Sequence, residues 1–232
     1  MDFSNRNLWP FFTIGDTTIY VTQTLVSTWV VMALLIGFAI VVRVRMRKFK
    51  SVPKGFQNVV ETMVDMMRKF ASDTLGEGLE AWGAYFFGAF AFILISNYIS
   101  LLPFNLRSPT ADLATTGALA LITFFLIHGL GIYKQKSKYL RSYIEPIAFF
   151  LPINVISEIA KPLSLAFRLF GNLLSGVIIA GMIYNMLPIA LRFVLPLVTH
   201  AYFDVLVGAL QAYVFTMLSM TFINLKSSSI FM

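Results

Sequence analysis

Four ionisable side chains interrupt two long apolar stretches near the C-terminus: Glu158, Lys161 and Arg168 within Pro146–Leu191, and Asp204 within Phe193–Leu225. Inside a membrane span each costs on the order of 2.5–3.5 kcal/mol on insertion scales, so each calls for a partner or a function. At about 100° per residue, Ser157, Lys161, Ser164, Arg168, Asn172 and Ser175 share one helix stripe about 27 Å long. His200, Asp204, Gly208 and Gln211, spaced 4, 4 and 3, form a second, shorter stripe. Polar tracks of this kind mark ion pathways, but structural accounts compete. Small residues at spacing four also let membrane helices pack closely, which would serve Ser164 and Ser175 equally well. Lys161 can snorkel and can pair with Glu158 at i+3. Arg168 resists such accounts. The 23 residues Leu169–Leu191 that follow it are uncharged, and Glu158 lies ten positions away, about 15 Å along a helix. A guanidinium cannot shed its proton, so its counter-charge must be Asp204 or a carboxylate on another subunit. Polar residues of the two stripes need partners in hydrocarbon. Asn172 is therefore expected to face Gln211, with the Gln211 carbonyl also orienting Arg168.

The elements that carry these residues follow from composition. Of 232 residues, 58% are hydrophobic and only 12% charged, and the mean hydropathy is +0.78, far more apolar than a soluble domain can bury. A water-soluble enzyme is excluded. With no cysteine and two histidines, disulfides, thiolate metal sites and histidine-rich metal centres are excluded as well. The expected fold is all-α: one membrane domain over 1–232 with spans at about 18–42, 81–103 and 113–133, then long helices at about 146–185 and 190–225 forming a tilted hairpin. Between the first two spans, Val59, Val60, Met63, Met66, Met67 and Phe70 recur at helical spacing opposite Glu61, Asp65, Arg68, Lys69 and Asp73. That pattern predicts an amphipathic helix at about 55–77 lying on the inner membrane surface, a placement compatible with packing against a soluble partner.

Charge fixes the expected orientation. Arg43, Arg45, Arg47, Lys48, Lys50, Lys54, Arg68, Lys69, Lys134, Lys136, Lys138, Arg141 and Lys226 fall on one side; Arg6, Arg107 and Arg192 fall on the other. The positive-inside bias places the N-terminus outside and the C-terminus in the cytoplasm. The net charge of +7 is read as this asymmetry, with no nucleic-acid partner. The N-terminus opens with Asp2 and has no basic region or cleavage site before its first apolar run, so it is read as mature sequence.

KPLSLAFRLFGN at Lys161–Asn172 closely resembles the signature of subunit a of rotary F-type ATP synthases. SNYISLLPFNLRSPTADLATT at Ser96–Thr116 resembles that family's connection between the second and third spans, and LQAYVFTML at Leu210–Leu218 its last helix. Three motifs in the right order make the resemblance specific. It implies the stator half of a membrane motor, with two offset half-channels leading protons or Na⁺ to and from a ring of c subunits. It also implies b-type peripheral-stalk subunits, the rest of the F1Fo complex, and an energy-transducing bilayer, read as a bacterial cell membrane. The chain itself would carry no ATP chemistry and no cofactor.

Within the resemblance, Arg168 matches the essential arginine that separates the channels. Asn172 and Gln211 match polar residues near the outer channel, and Asp112 an acid at its mouth. Some members carry an acid nine residues after the arginine and a histidine seven before the glutamine; here those positions are Val177 and Asp204. Asp204 therefore becomes the candidate outer-channel proton carrier, with His200 and Ser175 beside it on the stripes. The acid that other members place fourteen residues before the arginine is Asn154 here, and Glu158 is the candidate substitute at the inner channel. The competing class is a stand-alone secondary transporter or ion channel. It lacks support from an inverted repeat or short broken spans. A purely structural anchor would leave Arg168 unexplained.

Overall fold

The computed structural model describes residues 7–14, 17–50, 52–76, 78–101, 107–136, 139, 149, 151–186, 188 and 194–227. Strands β1 (Asn7–Ile14) and β2 (Thr17–Thr22) pair antiparallel, with Asn7 opposite Thr22 and Ile14 opposite Thr17. Helices α1 (Gln23–Met46), α2 (Phe56–Leu75), α3 (Gly83–Tyr98), α4 (Leu113–Gln135) and α5 (Leu151–Met186) follow. The last helical run has three parts: α6 (Val194–His200), a π-helical segment (Ala201–Val207) and α7 (Gly208–Ser227). Five helical runs are long and apolar enough to cross a membrane: Gln23–Met46, Glu80–Leu101, Leu113–Gln135, Leu151–Ile183 and Val198–Ser227. The chain is an all-α membrane protein with a small β-hairpin before its first span.

Two local differences from the sequence expectation have physical causes. The first helix begins at Gln23, not near 18, because Thr17–Thr22 is a run of β-branched and aromatic residues that joins β2. Thr22 then starts the helix, its Oγ1 accepting the Leu25 N–H at 3.4 Å in the manner of an N-cap. The last helix is not uniformly α; the π-helical segment interrupts it around Asp204. At the hairpin turn expected near 185–188, α5 runs to Met186 and residue 188 is outside any helix, while residues 187 and 189–193 fall outside the described residues, as do Arg6, Lys138, Arg141 and Arg192.

The chain divides into two compact units. One comprises residues 1–37, 91–116 and 168–212. Within it, Gly208 allows close approach, since a Cβ there would lie 3.0 Å from the Cβ of Asn97 on α3. Gly176 of α5 similarly approaches Phe203.

The other unit comprises residues 38–90, 117–167 and 213–232. Its core joins Ala71 and Leu75 of α2 with Phe86 of α3, Ile127 and Leu130 of α4, and Met220 and Ile223 of α7. α2 thus buries only one edge; Val59, Met63, Val64 and Met66 stay exposed, as suits a helix lying in a membrane interface. Its C-terminus is closed by Gly76 at φ +78, where a left-handed residue favours glycine, and by Asn224 Nδ2, which donates to the Thr74 carbonyl at 2.9 Å. At Gly83, where α3 begins, a Cβ would lie 2.8 Å from the Cβ of Ala71. Gly83→Val should therefore push α2 off α3. Overpacking of this kind costs about 1–3 kcal/mol, readable as a lower melting temperature of the purified assembly, with Gly88→Val, where no atom lies within 4 Å, as the neutral control.

Candidate functional site

Arg168, Asn172, Ser175, Asp112, His200, Asp204 and Gln211 all belong to the first unit. Asn172 Nδ2 donates to Gln211 Oε1 at 2.8 Å, so the two polar stripes meet there as the sequence suggests. Ser175 Oγ donates to the Asn172 carbonyl one turn back, 2.8 Å away. Gln211 is 6% exposed and its Nε2 is buried without a partner. This amide is committed to Asn172 and leaves one donor to be matched. The donor described on its carbonyl is Asn172, not the Arg168 guanidinium expected there from the sequence. Arg168 itself is exposed, one turn before Asn172, and no described carboxylate lies within ion-pair distance of it.

Asp204 is buried in the π-helical segment, where its Oδ2 accepts from His200 Nδ1 at 2.7 Å and from Ser100 Oγ at 3.5 Å. Its counter-group is thus His200 and not Arg168. The segment is braced from α3: Tyr98 OH donates to the Val205 carbonyl at 3.2 Å, and Asn97 Nδ2 to the Gly208 carbonyl at 2.9 Å. Asn97 Oδ1 accepts from Thr110 Oγ1 at 2.6 Å, and Ser108 Oγ closes onto the Ser96 carbonyl at 2.6 Å. The Gly208 N–H closes the segment onto the Phe203 and Val205 carbonyls, and Tyr98 and Asn97 add side-chain donors at its C-terminal end. Asp112 starts α4, its Oδ1 accepting the Ala114 N–H at 3.0 Å, while its Oδ2 takes the Thr24 hydroxyl at 2.8 Å.

Glu158 belongs to the second unit. It is 7% exposed, and its Oε1 receives Lys161 Nζ at 2.8 Å and Lys226 Nζ at 2.7 Å. Its Oε2 is buried without a hydrogen bond, 4.0 Å from His128 Nε2. Pro162, four residues on, has no N–H for the Glu158 carbonyl. Sequence reasoning foresaw the Lys161 pair but missed His128, Lys226 and the whole of the Asn97–Thr110 brace. A signal existed for the brace, since Ser96, Asn97, Tyr98 and Ser100 put four polar positions within five residues at the end of a span.

Fold and site together define a polytopic, all-α membrane protein whose last two long helical runs carry buried carboxylates at Glu158 and Asp204 and a buried amide at Gln211. The family model described as "ATP synthase A chain" matches residues 25–224. The chain is also 34% identical to the "ATP synthase subunit a" of Moorella thermoacetica over 213 residues, covering 91% of this chain and 93% of that relative. The chain belongs to the ATP synthase A chain family, the membrane (Fo) subunit that works with the rest of the F1Fo complex.

The Asn172–Gln211 bond is open to a double-mutant cycle. Asn172→Leu should destabilise the assembly by about 1–2 kcal/mol, because it strands the Gln211 amide in apolar surroundings. Asn172→Leu with Gln211→Leu should cost less than the two single changes summed, by about 0.6–1.7 kcal/mol. Thermal melts of the four complexes measure this, and strict additivity would mean the two side chains do not meet.

Proposed function

We propose that the chain is the stator face of the ATP synthase membrane motor, offering two offset half-channels to a ring of c subunits, with Arg168 as the charge that keeps them apart. The observation that carries this reading is Arg168: exposed on the isolated chain, without a described ion pair, and one turn from the half-buried Asn172–Gln211 bond. A permanent cation left open in an apolar layer has the right character to meet a carboxylate that another subunit brings past it. Within about 4–6 Å it favours the ionised form of that carboxylate, so the ring site releases its proton or Na⁺ there. On the lipid-facing arc the same site must be neutral, because a bare charge in hydrocarbon is costly. Ions therefore pass from one half-channel to the other by way of ring rotation, and Arg168 repels any that would cross directly. A potential of 100 mV contributes about 2.3 kcal/mol per charge, so several translocations accompany each ATP made elsewhere in the complex.

In this reading Asp204, with His200, carries protons in the outer half-channel, past Ser175, Asn172 and Gln211, and Asp112 stands at its mouth. Glu158 serves the inner side. The partners are the c ring and b-type stalk subunits, in a bacterial cell membrane with the N-terminus outside and the C-terminus in the cytoplasm, as the distribution of Lys and Arg supports.

Arg168→Ala should abolish ATP-driven ion pumping in membrane vesicles while the complex still assembles, since no buried apolar group is lost. Arg168→Lys should fail too, because lysine lacks the planar fork and can deprotonate. Near-normal pumping in either variant would sink the proposal.

Asp204→Asn should slow ATP synthesis more than it lowers assembly, and Asp204→Glu should restore part of the rate because it can still titrate. Rates across pH 6–9 decide the point; an Asp204→Asn profile equal to the parent's would move the outer route away from this residue.

A further inference from the structure

The motor reading makes no use of the place where α2 meets the start of α3. A cavity of about 490 Å³ lies there, walled by Val64 and Met67 of α2 and by Ala84 and Phe87 of α3, and lined also by Arg68 and Glu80. Its shape follows from the contact beside it. Ala71 and Gly83 bring α2 and α3 as close as two helices can come. Arg68 is one turn before that contact, Val64 two turns before it, and Phe87 one turn after Gly83 on α3. The two helices therefore flank a cleft whose closed end is the Ala71–Gly83 contact.

The depth of this cleft in the membrane is set by the elements that form it. Glu80 opens the apolar run Glu80–Leu101, which is long enough to cross a bilayer. α2 carries exposed Val59, Met63 and Met66 opposite a charged face, as an interfacial helix does. Arg68 and Glu80 consequently stand at headgroup level, with the apolar walls leading inward. Both are exposed, and although they line one cavity they do not form an ion pair with each other or with any described residue.

We propose that this cleft binds a phospholipid whose head carries both a phosphate and a primary ammonium, the phosphatidylethanolamine class, with the phosphate on Arg68, the ammonium on Glu80 and an acyl chain along Val64, Met67 and Phe87. Charge complementarity selects this occupant. A guanidinium grips phosphate oxygens through parallel N–H donors, and a primary ammonium supplies the N–H donors that a carboxylate accepts. Phosphatidylcholine has no such donor, and phosphatidylglycerol has only neutral hydroxyls to set against the Glu80 carboxylate, with no cation to balance its charge. A partner's apolar helix would gain nothing from two opposed charges in its path.

The test uses the whole assembled complex in nanodiscs containing a photoreactive phosphatidylethanolamine, with unlabelled lipids as competitors and crosslinked peptides identified by mass spectrometry. Labelling is expected on α2 and the start of α3, displaced by unlabelled phosphatidylethanolamine and not by phosphatidylcholine. Arg68→Gln should reduce it about tenfold, the loss of one charge-assisted phosphate contact, and Arg68→Lys should restore part. Glu80→Gln should keep phospholipid labelling but let phosphatidylglycerol compete equally. Both side chains are exposed, so assembly should be unaffected, and the competition arm decides in any case. Labelling indifferent to both variants, equal competition by phosphatidylcholine, or a photoreactive residue at Ala84 that captures a partner polypeptide would each overturn the proposal.

Discussion

Hydrocarbon offers no water to a polar atom, and the arrangement of this chain depends on that constraint more than on any other. Every polar group placed at membrane depth must be matched by protein or left available to something that will match it. Asn172 and Gln211 match one another at 2.8 Å. Asn97, fully buried, spends its amide on the Gly208 carbonyl and its carbonyl on Thr110. Lys161 and Lys226 converge on one oxygen of Glu158. Glycines at 176 and 208 bring backbones close enough for such short side chains to reach.

The π-helical segment shows what this matching allows. A helix that departs from α geometry exposes carbonyls that would be prohibitive in lipid, and such departures occur disproportionately at functional sites. Here the Gly208 N–H bonds the Phe203 and Val205 carbonyls, and α3 adds the Tyr98 hydroxyl on Val205 and the Asn97 amide on Gly208, just beyond the segment. His200, the last residue of α6, closes onto Asp204 four residues later at 2.7 Å. The orientation of Asp204 is thus a joint property of two elements about a hundred residues apart in sequence.

That joint origin explains which features were legible beforehand. The spans and the amphipathic α2 follow from hydropathy and helical period, which are local, and the resemblance carried by Lys161–Asn172 led to a family that later comparison showed. Stripe arithmetic also brought Asn172 and Gln211 together correctly. The π segment left no local trace, because the side chains that brace it come from α3, about a hundred residues away in sequence. The pairing of Gln211 with Arg168 failed for a related reason. Counting spacings shows which residues share a face but not which donors reach a given carbonyl, and the donor described on Gln211 Oε1 is the shorter Asn172 amide. β2 was missed because Thr, Ile, Tyr and Val serve a strand as readily as the start of a span.

Pairing separates the two charges of α5 that matter most. Glu158 is buried and holds two ammonium groups on one oxygen, and protonating it would remove the charge on which both contacts rest. Such an anion is well suited to tying α5, through Lys226, to the last helix. A fixed charge that is to meet a carboxylate brought by another subunit needs the opposite arrangement, with no partner already in place. Arg168 has that arrangement, since its charge is permanent, its side chain is exposed, and no described carboxylate neutralises it. A guanidinium already closed into an ion pair would give a passing carboxylate little reason to release its ion. The openness of Arg168 is therefore the condition for its action, and the Asn172–Gln211 bond beside it keeps the neighbouring polar groups occupied with each other without adding a charge that would close it.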